Sequence, residues 1–82
     1  MTPSEIRSAF IDALVEIAPD LDPASVGDDV HLQADLGLDS MDFLNLVGLL
    51  HKRFGLPIPE RDYPSLATPG LAVAYLDACL RH

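Results

Sequence analysis

Apolar positions recur at helical spacing in three stretches of the chain, and no segment alternates as a sustained strand would. In the first stretch Ile6, Ala9, Phe10, Ala13, Leu14 and Ile17 form one apolar face. Thr2 suits an N-cap ahead of it, Pro3 suits the first helical position, and Glu5 completes a capping box. Pro19 predicts an end near Ala18. The second stretch predicts a helix from Ser40 to Phe54, stopped by Gly55. Phe43, Leu46, Val47, Leu50 and Phe54 fall on its core stripe, and Met41, Leu44, Asn45 and Gly48 fall on the other side. A glycine inside a helix costs ~1 kcal/mol relative to alanine. Gly48 therefore calls for a reason, either tight packing against the neighbouring loop or close approach by a partner. The third helix has Thr68 as cap and Pro69 in first place, with Leu71, Ala72, Tyr75, Leu76, Cys79 and Leu80 at helical spacing.

The connections are less regular. Residues 19 to 38 form a long link broken by Pro19, Pro23 and Gly27 and hydrated by aspartates. Loops of this length in compact domains are functional or pinned down; Leu21, Val26, Val30, Leu32, Leu36 and Leu38 are the expected pins. The run Leu56-Pro57-Ile58-Pro59 cannot be helical throughout. Pro59 permits a short turn over residues 60 to 63, which Pro64 is expected to truncate. The expected fold is all-α: a small four-helix bundle, three main helices plus one short helix, with a long loop between the first and second. Residues 1 to 82 are expected to form a single domain.

Composition narrows the function. Apolar residues make up 49% of the chain, which argues against disorder. A chain this short buries only about 60% of its unfolded surface, leaving little room for a deep catalytic pocket. The formal charge is −8. No Lys or Arg lies between Ser8 and His51, while seven aspartates fall between Asp20 and Asp42. Such a surface repels nucleic acid and anionic membrane, and it steers a partner bearing a basic patch. The one cysteine, Cys79, has no partner for an internal disulfide, which fits a reducing compartment. With no signal-peptide pattern at the start and no apolar run near the roughly 18 residues of a membrane span, the expected location is cytoplasmic, without stable membrane insertion, as a monomer.

The chemistry centres on Ser40, in Asp35-Leu36-Gly37-Leu38-Asp39-Ser40-Met41-Asp42, where an acidic loop turns into an apolar helix. A serine nucleophile needs a base within hydrogen-bond reach. His51, on the same helix, is eleven residues away, about 16 Å along the axis. His31 lies in the loop. No glycine-elbow motif accompanies the serine. The aspartates do not match an EF-hand loop, and Cys79 and the histidines lack zinc spacing. Ser and Asp at a helix start also serve as caps. Without a base, the hydroxyl reads as a place of attachment or as a cap, and the chain is not expected to be an enzyme.

The segment Leu36-Gly37-Leu38-Asp39-Ser40-Met41-Asp42 resembles the attachment motif of acyl carrier proteins, where an Asp-Ser-Leu or Asp-Ser-Met triplet opens the second helix. The likeness extends over nearly the whole chain: first helix, long acidic loop, Asp-Ser, an apolar helix ending in Phe54, Ile58-Pro59 and a last helix. It implies that Ser40 takes a 4′-phosphopantetheine arm from coenzyme A, installed with Mg²⁺ by a phosphopantetheinyl transferase, with Asp39 and Met41 flanking the site. The arm's thiol would carry acyl groups as thioesters for acyl-loading and acyl-processing enzymes, so the family implies fatty-acid or other lipid metabolism. Asp35, Asp42, Leu44, Asn45, Gly48 and Arg61 are the implied partner-recognition residues. Cys79 is then not needed for carrying and reads as core.

The chain departs from the family's common pattern at Asn45, His51, Lys52 and Arg53, where glutamates are frequent, and at Arg61, Tyr63 and Pro64 in the short third helix. These departures point to a specialised carrier with a dedicated lipid or secondary-metabolite pathway. Two other readings stay open: an aminoacyl or peptidyl carrier of nonribosomal type, disfavoured by Leu38-Asp39 before the serine, and an unmodified acidic helical module that binds a basic partner.

Overall fold

The computed structural model describes residues 1–81. Three α-helices, α1 (Pro3–Ile17), α2 (Ser40–Phe54) and α3 (Pro69–Leu80), carry the core, and a 3₁₀ helix (Glu60–Leu66) links α2 to α3. A one-turn 3₁₀ helix (Pro23–Ser25) interrupts the first connection. Strands are absent among the described residues, and no helix there is long and apolar enough to cross a membrane. The fold is the expected all-α bundle.

The helix ends follow from their residues. Thr2 caps α1 reciprocally with Glu5, whose carboxylate pKa is lowered, first by the hydrogen bond it accepts from the Thr2 backbone. Gly55 ends α2 in the left-handed conformation, φ 65°, and donates to the His51 carbonyl at 2.9 Å. Thr68 caps α3 by accepting from Leu71 N–H at 3.2 Å, with Pro69 behind it.

Each helix buries one face. From α1 come Ile6, Phe10, Ala13 and Leu14, joined by Ile11, which lies off the stripe expected from spacing. From α2 come Phe43, Leu46, Val47 and Leu50. Removing side chains such as fully buried Leu46 or Leu50 costs ~2–5 kcal/mol per Leu→Ala change. The face of α3 differs from expectation: Pro69, Ala72 and Leu76 are buried, while Leu71 is 51% exposed. This helix is apolar nearly all round, so spacing alone does not choose its face. The Gly70 N–H donates to the Asp28 carbonyl at 3.0 Å, and a Cβ there would sit 3.1 Å from the same oxygen. That close approach, with the hydrogen bond Tyr75 donates to the Asp62 carboxylate at 2.8 Å, accompanies a rotation that turns Leu71 outward.

The long first connection is pinned, as its apolar residues predict. Val26, Leu32 and Leu38 are buried. The Arg7 guanidinium donates to the Asp28 carboxylate at 2.9 Å and to the Val26 carbonyl at 2.7 Å, so the chain leaving the far end of α1 returns to its near half. Leu32 N–H donates to the Ala67 carbonyl at 3.0 Å, and Leu38 N–H to the Leu32 carbonyl at 3.2 Å. At the other end Arg53 pairs with Glu16, joining the last turns of α1 and α2. The helices therefore begin near one end of the molecule, and Ser40 opens α2 at that end.

The 3₁₀ helix corrects one expectation. It runs through Pro64 to Leu66 rather than stopping before it. Proline in an α-helix clashes with the carbonyl four residues back. A short stretch with i→i+3 bonds loses only one donor, and the Pro64 carbonyl still accepts from Ala67 N–H at 3.3 Å.

Candidate functional site

The loop delivers Ser40 through a glycine. Gly37 adopts φ 76°, which a side-chain-bearing residue rarely does, and its N–H donates to the Gln33 carbonyl at 3.1 Å. Buried Leu38 anchors the next residue. Asp39 is then the N-cap of α2, in extended conformation. Its carboxylate accepts from Asp42 N–H at 2.8 Å, and its carbonyl accepts from Phe43 N–H at 3.0 Å. The Asp42 carboxylate returns to Asp39 N–H at 3.4 Å.

Ser40 therefore is not the cap; Asp39 is. Ser40 is the first helical residue, exposed to solvent. Cap and helix satisfy Asp42 and Phe43, whereas the Ser40 and Met41 N–H groups make no hydrogen bond among the described residues. Two free donors and the positive end of the helix dipole thus surround the hydroxyl, a setting that suits a phosphate.

Among the described residues no hydrogen bond joins a base to the Ser40 hydroxyl. His31 Nδ1 accepts the Ala34 N–H at 3.0 Å, and its ring lines a hollow of about 360 Å³ with Gln33, Phe43, Tyr63, Pro64 and Ala67. His51 Nδ1 lies 2.7 Å from the Leu56 carbonyl at the far end of α2. No group of three or more His, Cys, Asp or Glu side chains is placed to hold a metal among the described residues.

The other residues singled out from sequence separate into two sets. Asp39, Met41, Asp42, Leu44, Asn45 and Gly48 share α2 with Ser40 or immediately precede it, and Met41 and Leu44 are 68% and 50% exposed. Asp35 stands in the loop, where its carboxylate accepts from His31 N–H at 2.8 Å and its backbone N–H donates to the His31 carbonyl at 2.9 Å. Arg61 lies apart. It lines an apolar hollow of about 540 Å³ formed by Pro57, Ile58, Pro59, Tyr75 and Cys79 along the linking segment and α3. Gly48 is not packed against the loop: a Cβ there would meet nothing within 4 Å. Of these two explanations for its presence, internal packing fails.

Phe43 ties the site to the core. It follows Ser40 by one turn, packs edge-on against Tyr63 with ring centroids 5.7 Å apart, and forms a wall of the His31 hollow. Tyr63 was legible only as a departure from helix-friendly residues; its contact across 20 positions of sequence has no local signal.

The comparisons with known proteins fall on this site. The phosphopantetheine attachment site family matches residues 8–76, which includes Ser40, all of α2 and most of α1 and α3. The acyl carrier protein of Lactobacillus johnsonii is 38% identical over 76 residues, spanning 93% of this chain and 94% of that protein. The chain belongs to the acyl carrier protein family. A further relative, acyl carrier protein 2, mitochondrial, of Arabidopsis thaliana, is 31% identical over 81 residues, and the match spans 88% of this chain but only 64% of the plant protein. The cofactor of this carrier is 4′-phosphopantetheine, held covalently. The start of α2 fits that group: an exposed serine for the ester and, among the described residues, two unpaired N–H donors for its phosphate oxygens.

Proposed function

We propose that Ser40 is the attachment residue and that the chain presents acyl intermediates on the arm it bears. The observation that carries this reading is the exposed Ser40 hydroxyl as first residue of α2, beside unpaired N–H groups, inside the segment matched by the attachment-site family. The cofactor supplies a terminal thiol that forms thioesters. The protein supplies the hydroxyl and the helix start that receives the phosphate. Ser40 Oγ forms the bond to the phosphorus of coenzyme A as the pyrophosphate P–O bond breaks. Adenosine 3′,5′-bisphosphate leaves, and the hydroxyl proton passes to the phosphopantetheinyl transferase. Because that enzyme supplies the base, the lack of one beside Ser40 is no obstacle. The α2 N–H groups then favour the phosphodiester that results.

Asp39 holds the first turn rigid and so fixes where Ser40 points. Met41, Leu44 and Asn45 on the open face, with Asp35 and Asp42 as acids, are the proposed contacts for visiting enzymes. Arg61, on the 3₁₀ helix and apart from that face, is proposed as a separate positively charged contact. A mixed-charge surface of this kind supports service in a dedicated lipid or secondary-metabolite pathway, with residues 1 to 82 acting as one carrier unit in the cytoplasm.

Incubating the apo protein with a broad-specificity phosphopantetheinyl transferase, Mg²⁺ and coenzyme A tests the assignment. The intact mass rises by one arm on the wild type, and Ser40→Ala shows no rise. A wild type that gains nothing favours an unmodified interaction module. A Ser40→Ala protein that still gains the arm moves the attachment to another residue.

A further inference from the structure

The hollow walled by Phe43 has no part in attaching the arm, yet it lies within one helical turn of Ser40. Its lining is mostly apolar, with His31, Gln33 and Tyr63 as the hydrogen-bonding side chains, the make-up of a small-molecule site. Tyr63 and Pro64, two of the positions where the chain departs from the family's common pattern, both line it.

Its polar groups are unspent. His31 Nδ1 accepts the Ala34 N–H, so the neutral ring carries its proton on Nε2, which is left as a donor. The Tyr63 hydroxyl and the Gln33 amide make no hydrogen bond among the described residues. Both rings stand on fixed supports. The His31 backbone donates to the Asp35 carboxylate at 2.8 Å and accepts from the Asp35 and Leu36 N–H groups at 2.9 and 3.2 Å. Tyr63 is packed edge-on against Phe43. Groups held in place before a ligand arrives lose little freedom on binding it.

Size and polarity choose the occupant. About 360 Å³ is the room of about a dozen waters at ~30 Å³ each, which suits a short acyl group and falls short of a long fatty chain. A saturated chain would cover the polar groups and leave them unpaired, which a site of this kind penalises. None of the lining residues is Asp, Glu, Lys or Arg, so a cargo with a second carboxylate finds no counter-ion there.

We propose that this hollow seats the cargo of the arm on Ser40, and that the cargo is a short, neutral acyl group bearing a hydroxyl or oxo group on its chain. The oxygen accepts from His31 Nε2–H and meets the Tyr63 hydroxyl, while the carbons lie against Phe43 and Pro64. The inference rests on the carrier reading above and adds the class of cargo to it.

The test loads the apo protein directly, using a broad-specificity phosphopantetheinyl transferase and three acyl-coenzyme A probes: 3-hydroxybutanoyl, butanoyl and dodecanoyl. Cleavage of each thioester by hydroxylamine is followed by intact mass and compared with the same acyl group on free pantetheine. The ratio of the two rates is the protection that the protein confers. Protection of 3-hydroxybutanoyl is expected to exceed that of butanoyl about fivefold, the scale of one net hydrogen bond, with dodecanoyl no better protected than butanoyl. Tyr63→Phe keeps the ring that packs on Phe43, so it folds and takes the arm as wild type does. In it, protection of 3-hydroxybutanoyl falls to within about twofold of butanoyl. The His31 ring nitrogen resonances move when 3-hydroxybutanoyl is loaded and stay in place with the unloaded arm. Equal protection of the two short probes in wild type overturns the cargo class, and so does a preference that survives Tyr63→Phe undiminished. Dodecanoyl as the best protected probe overturns it as well. His31 resonances that move fully with the unloaded arm give the hollow to the arm itself and end its role as a cargo seat. A wild type that accepts none of the probes fails at the carrier reading beneath the proposal, which the mass spectrum shows before any rate is measured.

Discussion

Helices α1 and α2 open with the same device, a reciprocal capping box, and use it in opposite ways. In α1 the stronger arm is the return bond: Thr2 N–H donates to Glu5 Oε1 at 2.8 Å, while Glu5 N–H reaches Thr2 Oγ1 at 3.2 Å. In α2 the stronger arm runs forward, with Asp42 N–H donating to Asp39 at 2.8 Å, and the return bond stretches to 3.4 Å, beyond the usual range. The residue after the cap differs more. In α1 it is Pro3 and in α3 it is Pro69, neither with an N–H to offer nor a side chain to modify. In α2 it is Ser40, which keeps both. Two helix starts are closed and one is left chemically open, at the residue proposed to carry the arm.

Closing the third start is the sharpest way to break this contrast. Asp39 has φ −85° and ψ −178°, extended backbone of the kind a following proline tolerates. Ser40→Pro is therefore expected to fold, with stability unchanged or raised by up to ~1 kcal/mol through a less flexible unfolded chain. Arm installation should vanish completely, read by intact mass. A variant that fails to fold would mean that the Ser40 N–H or hydroxyl has a structural duty absent from the present account.

Asp39→Ala has a smaller effect on two readouts. It removes the stronger arm of the α2 box, which costs ~1 kcal/mol within a range of 0.5 to 2, a fall of ~4–8 °C in Tm for a domain of this size. It should also slow arm installation, because the turn that aims Ser40 frays. A lowered Tm with an unchanged rate would separate the cap from the presentation of the hydroxyl.

What was legible in the sequence divides along the same line. Starts and stops of the α-helices were local facts of Thr2, Pro3, Asp39, Gly55, Thr68 and Pro69, and the structure places each where the residues predict. Ser40 stood out for the same reason. The facts that escaped were non-local. Leu71 looked like core because α3 is apolar nearly all round, and the contacts that accompany its outward rotation, Gly70 with Asp28 and Tyr75 with Asp62, are non-local. Ile11 is buried although it lies off the stripe that spacing predicts. Pro64 looked like a stop because the rule for α-helices was applied to a segment that forms 3₁₀ turns. The open space at Gly48 was undecidable from sequence, since packing and emptiness leave the same letter.

The α1 start supplies the control and the smallest effects. Thr2→Ala should cost about as much stability as Asp39→Ala, ~1 kcal/mol, yet leave arm installation untouched, because no modified residue follows it. Its partner Glu5 adds a pH dependence. Hydrogen bonds from Thr2 hold the Glu5 pKa below the ordinary carboxylate value. A group whose pKa is lowered by folding contributes stability that is fully present above its unfolded pKa and is lost as pH falls through the folded one. The contribution of the box should therefore be complete near pH 6 and decline below about pH 4, the ordinary range for Glu. Chemical denaturation at the two pH values reads it: Glu5→Gln is less stable than wild type at the higher pH, and the gap closes in acid. The effect is small because the carboxylate is exposed. A gap that stays constant with pH would show that the α1 box works through shape and hydrogen bonding, without its charge.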